Sequence, residues 1–437
     1  MTSTVADPGR TSGVRHWSAL GLLCTAFFVD VLASTAVFTA GPAIAASLLL
    51  LGGRLSDRFG ARSLLVVGLV LLVVASAVCG AATTGGVLLA GRVVQGVSAA
   101  LTMPAAPALV ITTFAEPAQR NRALAVWAAV GGIGATAGLV LGGLVTDGVG
   151  WRWVFWASIP VGLVCIALAP VLLPRSHRRP VGLDVPGAAL VTVGLAALVY
   201  GVSRVATVGW RHAETLGPMV LGVVLCGAFV VVEGRSVDPL VPLRLFASRS
   251  LVAGNVALVV AGMCVDGLLF TVTTLTQTGL GWSAWDFAAL ASLMTVVSSA
   301  ASWNAQRRIG VVGTRGVAAS GMGLLALTGL TMAASTGGTQ PAYLLAVGML
   351  LFGAGMGGAF VAGSVAALSD VGEADSGIAA GLQNVSFGVG TTLGVAVLAT
   401  VAAATDDYGV AFVAGAALAT LGLVAVLALM PGPTSRR

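Results

Sequence analysis

Charged residues are what this sequence has least of. Only 9% of its 437 residues are charged, whereas soluble domains carry about 25%. Hydrophobic residues make up 57% of the chain, and the mean hydropathy is +1.00. A soluble protein of this composition would expose apolar surface that it has no charges to cover, so that class is excluded. The chain is therefore expected to cross a membrane many times.

Lysine is absent, and all 22 basic residues are arginines. They lie in short clusters between apolar runs, a pattern that the positive-inside rule explains better than a phosphate-binding face does. The net charge of +6 is therefore not interpreted as a sign of a nucleic-acid partner.

Cysteine and histidine are also scarce. The three histidines are far apart, and the five cysteines all lie in apolar stretches. No Cys-x-x-Cys pair and no Cys/His spacing suits a metal, so no metal and no cofactor are expected. A nucleotide-binding loop is missing as well. We therefore expect neither an enzyme nor a transporter driven by ATP hydrolysis.

Apolar segments of helical length follow one another along the whole chain. A crossing needs roughly 20 apolar residues, and backbone polar groups in lipid must be satisfied internally, so each segment is predicted to be a helix. The fourteen segments cover residues 18–40, 43–53, 63–82, 87–113, 122–146, 153–173, 187–207, 216–234, 250–272, 284–304, 315–335, 341–366, 378–402 and 408–430. The predicted fold class is an all-α polytopic membrane protein.

The arginines are distributed unequally between the two sides of the predicted membrane. With the N-terminus taken as cytoplasmic, 18 of the 22 arginines fall in loops on that side. We therefore expect a multi-pass protein of the cell (cytoplasmic) membrane with both termini in the cytoplasm. Tryptophans cluster at the predicted outer ends, as in an aromatic belt: Trp151, Trp153, Trp156, Trp210, Trp282 and Trp285.

The second segment is too short for a full crossing. The 37 residues from Trp17 to Gly53 give a helical path of roughly 55 Å, whereas two crossings need about 60 Å before any turn is added. We expect either a shortened second helix or a shallow hairpin around Gly41-Pro42.

The loop after the second segment has a distinctive spacing, G-x-L-x-D-R-x-G-x-R, over residues 53–62. Its glycines permit a tight turn between helices. Asp57 is a lone acid among arginines and can pair with a helix end or an arginine in one conformation. The pattern resembles the signature loop of the major facilitator superfamily, which implies a conformational gating role for Gly53, Asp57, Arg58, Gly60 and Arg62.

Other stretches strengthen this resemblance. Leu89–Gly96 is similar to the superfamily's fourth-helix motif, with Arg92 inside the membrane. Trp151–Phe155 with Ile159–Gly162, and also Pro239–Phe246, are similar to sequences of the fourteen-helix drug:proton antiporter branch.

The fifth segment is similar to the antiporter motif G-P-x-x-G-G. Gly138, Gly142 and Gly143 match it, whereas Leu139 stands where the family has proline.

Two further departures concern the start of the chain. The acid that many relatives carry in helix 1 corresponds to Ala33, with Asp30 about one turn earlier. A stretch that covers the first outer loop and much of helix 2 is missing after Ala45.

The resemblance implies the major facilitator fold, with two six-helix halves and two inserted central helices. The expected parts are a disordered cytoplasmic tail (1–16), helices 1–6 (17–173), a linker with inserted helices 7 and 8 (174–249), helices 9–14 (250–430) and a cytoplasmic tail (431–437). Val29-Asp30 echoes Val265-Asp266 at the corresponding place in the second half.

Ionisable residues deep in the predicted helices are few: Asp30, Arg92 and Asp266. A charge at the bilayer centre costs about 2.5–3.5 kcal/mol on the insertion scale, so such groups usually face a cavity. Our hypothesis is that an Asp exchanges protons or contacts substrate, and that Arg92 holds or relays its charge. The alternative is a static interhelical pair between Arg92 and an Asp.

Four amides in the predicted helices are candidates for lining a cavity: Asn255, Gln277, Gln383 and Asn384. They could equally bridge helices. The glycines of segments 5, 12 and 13 permit close helix packing, with or without a gating role.

The resemblance implies proton-coupled efflux of hydrophobic or cationic drugs or natural products by alternating access, from a monomer. The partners would be a small-molecule substrate, protons and the lipid bilayer. Transport of another small metabolite is an alternative, since a fold does not specify a substrate. A third alternative is a degenerate, non-transporting membrane protein that lacks the helix 1–2 region.

Overall fold

The computed structural model of the chain describes residues 8–35, 52, 54–56, 58–114, 116, 119, 122–123, 126–127, 130, 138, 141–174, 184–236, 239–337, 342–371 and 375–432. For residues 8–15 and 30–35 it describes the backbone alone. Predicted segment 2 lies outside the described residues except for Gly52, and segment 5 is described only in part.

Helices make up the regular structure of these ranges, and they fall into two compact units. The described residues of 8–35 and 52–174 belong to the first unit, where residues 141–148 are also helical. Its long helices are α1 (Pro8–Thr35), α2 (Ala61–Gly80), α3 (Gly85–Thr113) and α4 (Arg152–Leu172).

Residues 184–432 belong to the second unit. Its helices are α5 (Val185–Val208), α6 (Ala213–Glu233), α7 (Arg249–Thr274), α8 (Ala284–Ser335), α9 (Ala342–Leu368), α10 (Ser376–Thr405) and α11 (Tyr408–Leu429). A short 3₁₀ helix (Leu243–Ala247) precedes α7, and a π-helical turn (Leu275–Gly279) follows it.

Nine helices in the described ranges are long and apolar enough to cross a membrane. One of them, α8, consists of two helices joined at Gly313, whose φ of 75° and ψ of 168° are not helical. Only glycine adopts that conformation readily. Predicted segments 10 and 11 are therefore the two arms of α8, and the prediction of a multi-pass all-α protein is confirmed.

Two helices extend beyond their predicted ends. The sequence predicted a disordered tail up to residue 16, but α1 begins at Pro8, so that prediction fails for residues 8–16. Proline suits the first helical position, because its missing N–H has no intrahelical acceptor there. The first arm of α8 likewise includes Arg307 and Arg308, which we predicted in a loop. Arginine is a good helix former, and the helix breaks only at Gly313.

Within the first unit, α2 and α4 are joined at both ends by arginines. The Arg62 guanidinium, at the start of α2, donates to the Leu173 carbonyl after the last turn of α4, at 3.3 Å. Arg152, at the start of α4, donates to the Ala82 carbonyl just beyond α2, at 2.9 Å. Each arginine therefore caps carbonyls that the partner helix leaves unsatisfied. We call these two contacts the reciprocal arginine caps.

Within the second unit, α7 is the central helix. It packs against α9, α10 and α11. Most residues of α7 are buried, whereas most residues of α6 are not. The inserted helices α5 and α6 pack tightly on each other. A methyl group added at Gly222 of α6 would lie 2.7 Å from the Gly194 carbonyl oxygen of α5.

The connection from α6 to α7 is held by a buried carboxylate. Glu233, at the end of α6, is 3% exposed and accepts from the backbone N–H groups of Leu240 and Val241 at 3.2 and 3.5 Å. These two residues share an apolar cluster with Val385 of α10. The inserted pair and the motif that follows it are thus packed onto the helices of the second unit.

Candidate coupling site within the helices

Asp266 lies near the middle of α7, facing α10. Its carboxyl is a neighbour of the Thr391 side chain, and Thr391 is buried in α10. Among the described residues, ion pairs join Arg204 to Glu214 and Arg244 to Asp375. Asp266 belongs to neither pair, so no basic partner of its carboxyl is described.

The two helices approach each other closely at this point because glycines face the contact. Methyl groups at Gly390 and Gly394 of α10 would collide with the carbonyl oxygens of Val259 and Met263 of α7. One at Gly262 of α7 would collide with the Phe387 carbonyl. Small residues of this kind let helix backbones come together in membranes. The site of Asp266 is therefore defined by backbone packing.

The Thr391 hydroxyl has its hydrogen-bond acceptor in its own helix. Thr391 Oγ1 lies 2.9 Å from the Gly388 carbonyl oxygen. Thr392 Oγ1 lies 3.0 Å from the same oxygen. Such bonds from a threonine to the preceding turn are frequent in helices.

Asn255 is buried and connects α7 to α10. Its amide nitrogen donates to the Leu251 carbonyl at 2.9 Å, and its amide oxygen accepts from Ser386 at 2.8 Å. Of the two roles considered for Asn255, the structure describes the bridge between helices. A buried amide with both ends bonded stabilises a contact, because unsatisfied polar groups are costly in an apolar medium.

The other three predicted amides differ in environment. Gln277 is exposed in the π-helical turn after α7, and Asn384 is exposed and bonded to the Ala380 carbonyl of its own helix. Gln383 is partly buried, and its Oε1 atom is buried with no hydrogen-bond partner among the described atoms. Of these three amides, Gln383 is therefore the one whose buried acceptor needs a hydrogen-bond donor from a ligand, from a water or from a movement of its helix.

Arg92, in the first unit, lies in a network of buried polar side chains. It is 3% exposed and donates to Gln95 Oε1 at 2.7 Å, one turn further along α3. Gln95 Nε2 in turn donates to Ser76 Oγ of α2 at 3.0 Å. The network joins α3 to α2 and holds the guanidinium away from lipid.

Asp30 lies in α1, but its side chain is outside the described part of the chain. One turn earlier, Phe27 stacks on Trp127 with ring centroids 4.3 Å apart. Stacked aromatic pairs contribute about 0.5–1.5 kcal/mol beyond their area. The α1 backbone near Asp30 is thereby fixed against the segment that contains Trp127.

The predicted gating loop is described at three of its five positions, with Gly53 and Asp57 outside the described residues. Gly60 has a φ of 90° and directly precedes α2, so the turn requires glycine here. Arg58 is exposed beside the Phe59 ring. Arg62 forms one of the reciprocal arginine caps, so it connects helix ends.

The three glycines of the antiporter-type motif in predicted segment 5 are all described. Gly142 and Gly143 lie in the helical stretch 141–148, and Gly138 is helical as well. Gly138 and Gly143 are buried and Gly142 is partly buried. Their placement agrees with close helix packing, and a gating role for them stays a prediction.

Sequence reasoning missed Thr391, Gln95 and Ser76 as site residues. Gln95 and Ser76 were visible as polar residues at helical spacing in apolar segments, and polar side chains there usually have partners. Thr391 gave no such signal, because many threonines in these helices simply bond to their own backbone. Within the described residues, no group of three or more His, Cys, Asp or Glu could hold a metal ion.

The described residues form apolar helices, nine of them long enough to cross a membrane, with a few bonded polar groups inside them. This arrangement defines a multi-pass membrane protein. A family model described as Major Facilitator Superfamily matches residues 16–338. The chain belongs to the major facilitator superfamily and is therefore a transporter and not an enzyme.

Similar curated proteins cover most of the chain. The cephamycin export protein CmcT of Amycolatopsis lactamdurans is 34% identical over 476 residues, 99% of this chain and 96% of that protein. The puromycin resistance protein pur8 of Streptomyces alboniger is 37% identical over 385 residues, which are 85% of this chain and 75% of that protein. The alignment with CmcT is longer than the 437 residues of this chain, so CmcT has residues that this chain lacks.

Solved structures share the fold at low sequence identity. A crystal structure of the POT family transporter PepTSo has a TM-score of 0.70 at 15% identity, covering 94% of this chain and 97% of that one. The human organic anion transporter MFSD10 has a TM-score of 0.63 at 18% identity, covering 94% and 99%. The fold class is therefore confirmed as the major facilitator fold.

Proposed function

We propose that the protein exports hydrophobic or cationic drugs or natural products in exchange for protons, by alternating access. The observation that carries the proposal is the carboxyl of Asp266 in the glycine-lined contact of α7 and α10, where it belongs to neither of the described ion pairs. An ionisable group inside a membrane protein is costly and is usually retained for function.

Relatives support the direction of transport. Proteins similar along most of the chain are named for export of cephamycin and for resistance to puromycin, and a tetracenomycin C resistance and export protein is 32% identical over 88% of the chain. Two of these three names state export of a natural product, and the third states resistance to one.

The proposed cycle begins with a proton from the outside that neutralises Asp266. A neutral carboxyl has a lower desolvation cost than a carboxylate, so its protonation changes the relative stability of the outward-open and inward-open states. Substrate competes with the proton for the same state. Release of the proton to the cytoplasm resets the carrier.

Other predicted residues have subordinate roles in this proposal. Asp30 is a second proton-exchanging acid, and Arg92 stabilises carboxylate charge in the first unit. The loop with Gly53, Asp57, Arg58, Gly60 and Arg62 and the glycines Gly138, Gly142 and Gly143 permit the conformational change. We place the protein in the cytoplasmic membrane with both termini inside, on the strength of the arginine distribution, and we propose that it acts as a monomer.

The test is efflux of ethidium, a hydrophobic cation, and of puromycin from cells that express the protein, with and without a proton uncoupler. Wild-type protein is expected to lower accumulation of at least one compound, and the uncoupler to abolish that effect. Asp30→Asn and Asp266→Asn should each abolish efflux while the protein remains in the membrane. Glu116→Gln is the matched control, because Glu116 is an exposed carboxylate bonded to Gln119.

Each alternative has its own outcome. Unchanged efflux in both aspartate variants would contradict their assignment to proton coupling. Absence of uncoupler-sensitive efflux of both compounds would overturn the proposal. A pH-linked flux of some other solute would then favour a metabolite transporter, and no flux would favour the non-transporting protein.

A further inference from the structure

We propose that the last turns of the first arm of α8 bind the headgroup of an anionic phospholipid. In this site, Arg307 and Arg308 bind the phosphate, and Trp303 packs beside the glycerol and the upper acyl chain. We call Trp303, Arg307, Arg308, Val311 and Val312 the arm-end face. The inference goes beyond the proposed function and does not depend on it.

The first step of the argument is the geometry of the arm-end face. Residues four apart in a helix lie one turn apart on the same face, and Trp303, Arg307 and Val311 have this spacing. All three are exposed, and so are their neighbours Arg308 and Val312. The Arg307 guanidinium lies over the Trp303 ring, 3.7 Å from its centroid. This cation–π contact positions the guanidinium before any ligand binds.

The second step is that nearby described residues do not neutralise the two arginines. Neither Arg307 nor Arg308 belongs to a described ion pair. The helices α9 and α11, which pack against α8, contain no Asp or Glu. The acid of α8 itself, Asp286, is in its first turn, about 30 Å from Arg307 along the helix. Asp370, just beyond α9, accepts from the Ser248 hydroxyl at 3.4 Å.

The third step is a contrast with the next arginine of the same helix. Arg315, at the start of the second arm, donates to the Leu427 carbonyl in the last turns of α11. It therefore satisfies a carbonyl that a helix end leaves open. Arg307 and Arg308 face outward instead, so their charge is directed to the surroundings of the protein.

The fourth step selects a lipid and not a small anion. Trp303, Val311 and Val312 are 61%, 84% and 46% exposed, so the two arginines lie between exposed apolar side chains. A guanidinium matches the oxygens of a phosphate, whereas indole and valine gain from contact with hydrocarbon, and tryptophan favours the membrane interface. A phospholipid with net negative charge offers both groups in one molecule.

The experiment is quenching of tryptophan fluorescence by brominated lipids in nanodiscs that contain the full-length protein. The chain has nine tryptophans, so the part of the quenching that disappears in Trp303→Phe is assigned to Trp303. In wild type, brominated phosphatidylglycerol is expected to quench this part at a much lower lipid fraction than brominated phosphatidylcholine. Each arginine should contribute a factor of about five to that preference. The double variant Arg307→Gln/Arg308→Gln should therefore lose it.

Arg235→Gln/Arg249→Gln is the matched control. It removes two other exposed arginines of the second unit and changes the net charge equally, so the preference at Trp303 should stay at the wild-type value. An equal loss in both double variants would show general attraction of anionic lipid and overturn the inference. Should the first double variant not fold, Arg308→Gln alone should lower the preference about fivefold.

Two other results would also overturn the inference. One is equal quenching of Trp303 by the two brominated lipids in wild type. The other is loss of the preference when inorganic phosphate replaces chloride at constant ionic strength, because the site would then bind a soluble anion.

Discussion

Arg92 in the first unit and Asp266 in the second are both ionisable groups inside apolar helices, but their polar surroundings differ. Arg92 donates to Gln95, and Gln95 donates to Ser76, so both hydrogen bonds of this network have a fixed direction. Asp266 belongs to neither of the described ion pairs, and the hydroxyl of its neighbour Thr391 donates to the Gly388 carbonyl of its own helix. The first arrangement favours one state of the helices, whereas the second has no described basic partner that fixes the charge of the carboxyl.

The difference follows from the chemistry of the donors. A guanidinium has only donors and stays protonated, so its network cannot reverse. A carboxyl and a hydroxyl can each donate or accept. A static structural network and an exchangeable one can therefore be told apart by their partners, and stability and pH dependence should respond to different substitutions in the two regions.

The largest effect on stability is expected at the contact that holds Asp266. Gly394→Ala would place a methyl group against the Met263 backbone, and overpacking of this kind costs about 3 kcal/mol. The thermal unfolding midpoint of the purified protein should fall. Gly323→Ala in α8 is the control, because a methyl group there meets nothing within 4 Å. Equal midpoints for the two variants would show that the glycine contact does not matter.

A second substitution separates the two regions directly. Gln95→Leu removes the described acceptor of Arg92, and loss of a hydrogen bond to a charged group costs about 2 kcal/mol. The unfolding midpoint should fall, while uncoupler-sensitive efflux should remain. Asp266→Asn should do the reverse, because it is expected to abolish efflux while the protein stays in the membrane. A loss of efflux in Gln95→Leu as complete as that in Asp266→Asn would end the distinction between a static and an exchangeable site.

Ser76→Ala tests the far end of the static network. Gln95 Nε2 would lose its acceptor on α2, which costs about 1 kcal/mol for a neutral hydrogen bond. Ser158→Ala is the matched control, since the Ser158 hydroxyl bonds only to its own helix, at the Val154 carbonyl. A loss of stability in Ser158→Ala as large as that in Ser76→Ala would argue against the interhelical network.

The smallest effect is expected at the ion pair between Arg244 and Asp375 in the second unit. Their atoms are 2.9 Å apart, but the Arg244 side chain is 71% exposed. Exposed pairs contribute roughly 0.5 kcal/mol or less and are screened by salt. Arg244→Gln should therefore leave both the unfolding midpoint and efflux close to wild type. A large loss would show that this pair, and not the buried contact, controls the second unit.

Much of the fold could be predicted from the sequence because the bilayer restricts a spanning chain to apolar helices. Helix ends were less predictable. Arg307 and Arg308 were interpreted as part of a loop because they are charged, but charge alone does not end a helix. The helix breaks at Gly313, because the backbone conformation of that residue is not helical.

For the candidate site, the sequence could predict which ionisable residues belong to it, but not their partners. Scarcity singled out Asp30, Arg92 and Asp266, but partners depend on which helix faces meet, and no periodicity in a uniformly apolar helix reveals that. Thr391 became visible only when the α7–α10 contact placed it beside Asp266. Asn255 was equally undetermined until Ser386 was found at its amide oxygen.

The reciprocal arginine caps between α2 and α4 have a mechanical consequence. Two antiparallel helices that are hydrogen-bonded at both ends cannot slide or separate without breaking the contact of Arg62 with Leu173 or that of Arg152 with Ala82. In any transport cycle, α2 and α4 should therefore move together as one rigid body. Spin labels placed on the two helices would keep the same separation throughout turnover, and the bending must occur in other helices.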